Sequence, residues 1–175
     1  SNYNENINYL SKSLLDTVRD QLISDVPIGC FLSGGIDSSI VTSIMSNVSS
    51  KKISTFSVGI NNLSYDESQY AKKISTHLQT DHNELIVSES DLIETVDKIP
   101  KIYDEPFADS SQIPTFLISK FAREKVKVVL TGDGGDELFG GYNRYIFNPK
   151  IWNIIRFIPL ELRSLISSVS SNQFS

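Results

Sequence analysis

The chain has 175 residues, room for one ordinary domain, and its 39% hydrophobic and 10% aromatic content is enough to build a core. Charged residues at 21% argue against disorder or a fibrous class, and 16 Lys+Arg against 21 Asp+Glu leave a net charge of −5, the wrong sign for a surface that coats nucleic acid. One cysteine and two histidines exclude an internal disulfide framework and all but exclude a Cys/His zinc site. The first residues show no signal peptide, and no stretch nears the roughly 20 apolar residues of a membrane span, so the expected setting is the cytoplasm.

From the N-terminus, Ile7, Leu10, Leu14, Leu15, Val18 and Leu22 form one helical stripe over 6–23. Pro27 follows, then the continuous apolar run Ile28-Gly29-Cys30-Phe31-Leu32, the pattern of a strand covered on both faces. Ser33-Gly34-Gly35 breaks the run. Asp37-Ser38-Ser39 then reads as the capped start of a helix carrying Ile40, Val41, Ile44 and Met45. The alternation repeats: a strand over 53–60, a helix over 66–78 opened by Asp66 and Glu67, and a short strand over 84–87. A helix capped by Ser88-Glu89-Ser90-Asp91 runs to Ile99 and is stopped by Pro100. A helix over 113–124 and a buried strand over 126–131 follow. Strands separated by helix-length segments predict an open parallel α/β sheet with helices on both faces.

The expected division is a nucleotide-handling domain over 1–145 and the start of a helical part over 146–175. From Tyr145 onward one acid (Glu161) faces three bases (Lys150, Arg156, Arg163), among Trp152, Ile154, Ile155, Phe157, Ile158 and Leu160. Apolar helical surface this dense wants a partner, and the chain reads as a piece of a longer protein.

In an open parallel sheet, ligands sit beyond the carboxyl ends of the strands. Ser33-Gly34-Gly35-Ile36-Asp37-Ser38-Ser39 lies at such an end. Two glycines let the backbone present bare N–H groups, the following helix adds its positive end, and Ser33, Ser38 and Ser39 add hydroxyl donors. A carboxylate inside a phosphate cradle is repulsive unless a cation intervenes, so Asp37 implies Mg²⁺. No lysine follows the glycines, so this is not a Walker A loop, and G-x-G-x-x-G is absent.

A second cluster, Thr131-Gly132-Asp133-Gly134-Gly135-Asp136-Glu137-Leu138-Phe139-Gly140-Gly141-Tyr142, follows the fourth strand with five glycines and three carboxylates in twelve residues. A solvated acidic loop capping a helix is the plain alternative. Asp136 facing Asp37 would supply two hard oxygen ligands to magnesium on a triphosphate.

The stretch from Ser33 to Ser39 resembles the pyrophosphate loop of the ATP pyrophosphatase superfamily, whose members cleave ATP between the α and β phosphates and adenylate a substrate. The second cluster resembles a signature of the asparagine synthetase family. Tyr103-Asp104-Glu105-Pro106-Phe107-Ala108-Asp109-Ser110-Ser111, Thr55-Phe56-Ser57-Val58-Gly59 and Asp25-Val26-Pro27-Ile28-Gly29 are similar to stretches of its glutamine-dependent members, in register over about 6–145. The resemblance implies an adenine nucleotide alpha hydrolase-like (Rossmann-like) fold. It also implies an activity in which aspartate and ATP·Mg²⁺ give β-aspartyl-AMP and pyrophosphate, and ammonia displaces AMP to form asparagine.

Position by position, the resemblance implies that Leu32 and Val58 contact adenine, largely through backbone groups, and that Thr131 and Gly132 lie along the ribose and α-phosphate. Ser33, Gly34, Gly35, Ser38 and Ser39 would hold pyrophosphate, with Asp37 and Asp136 as magnesium ligands. Asp133 takes the place of an acid, often Glu in the family, tied to adenylate formation and amine attack. Glu105, Asp109 and Ser110 fall on the substrate side.

Family members also carry a glutaminase domain that supplies the ammonia, begun by a nucleophilic cysteine. Here Ser1 comes first and Cys30 falls inside a strand, where a thiol reads as core. The family's catalytic lysine has no matching motif after Tyr145, and Lys150 follows Pro149 at an expected helix start. His77 and His82 read as surface residues. A homodimer of the longer protein is compatible with the resemblance. Two alternatives stay open: a sibling amidotransferase that adenylates another carboxylate, and an ATP-binding piece without turnover.

Overall fold

The computed structural model describes residues 2–60, 68–105, 108–160 and 162–163. The chain falls into two compact units, Ser1–Asp133 and Gly134–Ser175. The expected helix caps Asp66 and Glu67, and Pro106 and Phe107 of the third motif, lie outside the described residues.

The first unit runs α1 (Tyr3–Gln21), β1 (Ile28–Phe31), α2 (Ile36–Val48), β2 (Ser54–Ile60), α3 (Ser68–His77), β3 (Asp81–Val87), α4 (Glu89–Val96), α5 (Ile99–Ile102), α6 (Gln112–Ala122) and β4 (Val128–Leu130). All four strands are parallel, in the order β3-β2-β1-β4. The chain steps from β1 outward to β3, then returns to the other side of β1 with β4. The order therefore reverses between β1 and β4, the place where open α/β sheets hold their ligands.

Side chains of β1 alternate between two cores. Cys30 joins Val18 of α1, Met45 of α2 and Ile53, with Leu130 of β4 packed against them. Phe31 turns the other way, to Phe56 of β2, Ile118 and Ala122 of α6, and Val126. Helices thus cover both faces of the sheet. Phe56 is fully buried and meets the Phe121 ring edge-on at 6.0 Å, a burial worth about 2–3 kcal/mol.

Several expected boundaries move. β3 begins at Asp81 rather than Glu84, because Asp81, His82 and Asn83 pair with Ser54, Thr55 and Phe56. Pro100 does not end a helix. It occupies the first positions of α5, where no intrahelical N–H is needed.

The second unit contains α7 (Gly135–Phe139) and α8 (Asn143–Ile155). Pro149 lies inside α8, so Lys150 is a mid-helix residue and not a helix start. Ile146, Phe147, Ile151, Trp152 and Ile154 are exposed on α8.

Candidate functional site

The Ser33–Ser39 stretch leaves β1 at its carboxyl end and enters α2, at the reversal point of the sheet. The expected cap is displaced. Gly35 is the N-cap of α2, no side chain caps it, and Asp37 stands half-buried in the first turn. The first-turn amides therefore keep their hydrogens for a ligand, and the helix end adds a partial positive charge.

The serine hydroxyls do something different from what the sequence suggests. Ser38 Oγ donates to the Gly35 carbonyl (3.2 Å) and accepts from Ser33 N (3.3 Å), and Ser39 Oγ donates to the same carbonyl at 2.5 Å. Since Ser38 has one hydroxyl hydrogen, Ser33 is the donor in the 3.1 Å Ser33–Ser38 pair, and its oxygen accepts from Gly35 N (3.2 Å). All three hydroxyl hydrogens are spent within the loop. The serines brace the turn and also take up the amides of Ser33 and Gly35, which leaves the first-turn amides of α2, with no side-chain cap, as the donors for a ligand.

Leu32, just before the loop, is buried, and its N–H donates to the Phe56 carbonyl (2.8 Å). Val58, two residues beyond Phe56, packs partly into the α6-side core. Gly34, at φ +90°, abuts α3: a Cβ there would fall 2.7 Å from Tyr70 Cβ and 2.9 Å from Ala71 N. Tyr70 and Ala71 thus fix the loop from the side. No local signal in the sequence marks them, because the contact joins residues more than thirty apart.

Thr131 and Gly132 continue from β4 at the same edge. A Cβ on Gly132 would stand 2.6 Å from Ser38 N and 3.0 Å from Asp37 Cβ. Only glycine allows this approach, and it sets the end of β4 directly against the first turn of α2. Thr131 Oγ1 donates to Asp133 Oδ2 (3.0 Å) and accepts from Asp133 N (3.2 Å), so the threonine holds the carboxylate by both ends of its own residue. Asp133 itself is exposed.

Asp136 belongs to the second unit, half-buried in the first turn of α7. Glycines bound that helix, Gly134 at φ +89° and Gly140 at φ +69°. Glu137 accepts a 2.5 Å bond from Tyr142 Oη, which holds its carboxyl below the usual range and pushes the phenol up to about 12. The Arg144 guanidinium lies 4.2 Å from the Tyr142 ring centre. Glu137 and Tyr142 were part of the sequence signature without an assigned role; their spacing across two glycines was the available signal.

The substrate-side candidates Glu105, Asp109 and Ser110 lie exposed in the α5–α6 connection. Asp109 accepts from Ser111 N (2.8 Å), which holds its carboxyl below the ordinary value.

Two expectations about titratable groups part ways. Cys30 is core as expected: fully buried, with burial pushing its thiol up to about 11. His82 is not a surface residue. It is half-buried on β3, with Nδ1 bonded to Thr55 Oγ1 (3.0 Å) and Nε2 to Ser57 Oγ (3.2 Å), and burial lowers its pKa.

The model of the asparagine synthase family matches residues 10–174. A putative glutamine-hydrolyzing asparagine synthetase 2 from Methanocaldococcus jannaschii is 45% identical over 87% of this chain, and the Bacillus subtilis glutamine-hydrolyzing asparagine synthetase 1 is 38% identical over 91%. Those alignments cover 29% and 25% of the two relatives, so the chain spans about a quarter of their length. Among solved structures, NMN synthetase from Francisella tularensis (TM-score 0.54, 14% identity) covers 79% of this chain and 59% of its own. NH3-dependent NAD synthetase from Campylobacter jejuni (TM-score 0.52, 15% identity) covers 78% and 60%. These likenesses place the sheet in the adenine nucleotide alpha hydrolase-like fold.

Proposed function

The chain belongs to the asparagine synthase family, and from that premise we propose that it is the adenylating part of an amide-forming ligase of the glutamine-hydrolysing asparagine synthase type. The observation that carries this reading is the close seating of Gly132 on the first turn of α2. It joins the pyrophosphate loop to the strand end that bears Thr131 and Asp133. ATP is the nucleotide substrate, and aspartate and ammonia are the further substrates. The ammonia would come from a glutaminase domain, a setting that goes with a cytoplasmic, membrane-free protein.

The chemistry asks for positioning and neutralisation more than for bond-making by the protein. A carboxylate is a poor acyl donor, and transfer of AMP to its oxygen creates a good leaving group. The free amides at 36–38 hold the departing pyrophosphate, while the braced serines keep the cradle from collapsing. Leu32 and Val58 border the adenine, and Thr131 and Gly132 run beside the ribose and α-phosphate. Thr131 also steadies Asp133 as the polar orienter or proton acceptor for incoming ammonia.

Asp37 and Asp136 are each proposed as magnesium ligands. Both are hard oxygen donors and suit that ion. Among the described residues no group of three or more His, Cys, Asp or Glu side chains forms a metal site, so phosphate oxygens and water would complete the shell. When bound, the ion would neutralise charge on the phosphates. Glu105, Asp109 and Ser110 are the proposed substrate side.

Product analysis tests the reading. The protein is incubated with ATP, Mg²⁺ and ammonia, with and without aspartate, beside an Asp37→Asn control. AMP and pyrophosphate that appear only with aspartate, and vanish in the control, are the expected result. AMP formation that answers to a different acid would shift the assignment to a sibling amidotransferase; ADP and phosphate would overturn it.

A further inference from the structure

Behind the phosphate loop lies a residue that no motif contains. Thr42 sits in the middle of α2, one turn after Ser38, and is fully buried. Its Oγ1 donates to the Ser38 carbonyl at 2.7 Å and lies 3.3 Å from Cys30 Sγ on β1. Its hydroxyl therefore has two partners, one in the strand that leads into the loop and one in the helix turn that leaves it. A threonine that bonds back to the carbonyl four residues earlier changes the local pitch of its helix. Here the affected turn, Ser38–Thr42, begins at Ser38, the last residue of the uncapped first turn of α2.

Ser38 is the hub of that loop, with its hydroxyl bonded to Ser33 N, Ser33 Oγ and the Gly35 carbonyl. The chain of contacts runs Cys30, Thr42, Ser38, then Ser33 and Gly35. It closes on itself, since Cys30 precedes Ser33 by three residues along β1 and Leu32.

We propose that Thr42 is a positioning residue for pyrophosphate: it touches no nucleotide and acts through Ser38, fixing the first turn of α2 against β1 so that the loop amides converge on phosphate oxygens. The inference rests on reading 33–39 as a pyrophosphate loop. Ordinary core packing would make Thr42 matter for stability alone. Positioning makes it matter for phosphate affinity and spares the adenosine side.

Binding of inorganic pyrophosphate, ATP and AMP, each with Mg²⁺, is measured by calorimetry on the full chain, with thermal melts alongside. Thr42→Val keeps the shape and removes the hydroxyl, and loss of one such bond corresponds to a weakening of about 3- to 10-fold. The expected result is that loss for pyrophosphate and ATP, unchanged AMP binding, and recovery in Thr42→Ser despite its missing methyl. Equal weakening for all three ligands, or none, would overturn the proposal. If Thr42→Val does not fold, Thr42→Ser and Thr42→Ala differ by the hydroxyl alone and supply the same contrast. Wild-type protein that binds neither pyrophosphate nor ATP would instead refute the phosphate-loop reading itself, a result distinct from a failure of Thr42.

Discussion

The two glycine-rich turns reach their shapes by different means. The first, after β1, is braced within by hydroxyl-to-backbone bonds and held from outside, where α3 presses on Gly34 and Gly132, just beyond β4, is seated on its helix. The second, from Gly134 onward, is held by its own backbone, with left-handed glycines at both ends of α7 and one surface bond between Glu137 and Tyr142. A loop that grips a multiply charged group gains from a rigid wall behind it. The acids of α7 are set by contacts within their own turn, Glu137 by Tyr142 and Asp136 half-buried against Gly141.

Two glycines, Gly132 and Gly134, stand on either side of Asp133 and put that difference to its most direct test. Gly132→Ala drives a methyl into the backbone of Asp37 and Ser38, an overpacking error that should cost about 2–3 kcal/mol in urea denaturation and abolish ATP binding. A variant with wild-type affinity would mean that the strand end does not fix the loop. Gly134→Ala meets nothing within 4 Å and suffers only its φ of +89°, so about 1–2 kcal/mol is expected. Gly134→Asn should recover part of it, since asparagine tolerates that region. Equal losses in alanine and asparagine would point to packing instead.

The smallest effect concerns the wall beside the first turn. His82 bonds Thr55 and Ser57 on β2, against which α3 packs, and Glu84, Lys72 and Asp81 are the charges that act on it. Burial keeps its folded pKa below 6.5, so as pH falls the unfolded chain takes up the proton first. The stability contributed by neutral His82 is complete above about pH 6.5 and drains away below it. Denaturation midpoints between pH 7 and 5 should therefore slope downward in the wild type, and His82→Asn should flatten part of that slope. An unchanged slope would remove His82 from the account.

Much of the fold was legible because the buried strands are apolar and continuous. The run from Ile28 to Leu32 and the glycine turn after it carry their meaning locally. Other features were hidden for identifiable reasons. The polar start of β3 is extended because β2 offers it hydrogen-bond partners, which no property of Asp81, His82 and Asn83 announces. His82 looked like a surface residue since its partners, Thr55 and Ser57, lie more than twenty positions away. The loop serines fall in the turn, but Ser38 and Ser39 commit their hydrogens to the Gly35 carbonyl and Ser33 commits its own to Ser38, an arrangement that residue type cannot express. Thr42 had a local signal in its spacing of four from Ser38, but a threonine in a helix is too common to stand out.

The positions of two singular residues have a practical consequence. The one cysteine, Cys30, is sealed in the core of the first unit, and the one tryptophan, Trp152, is exposed on α8 of the second. Thiol labelling and indole fluorescence therefore interrogate the two units separately without any engineered dye. If both signals change at one denaturant concentration, the units unfold as a single cooperative body. If they change at two, each unit has a stability of its own, and the sequence already carries the probes to measure both.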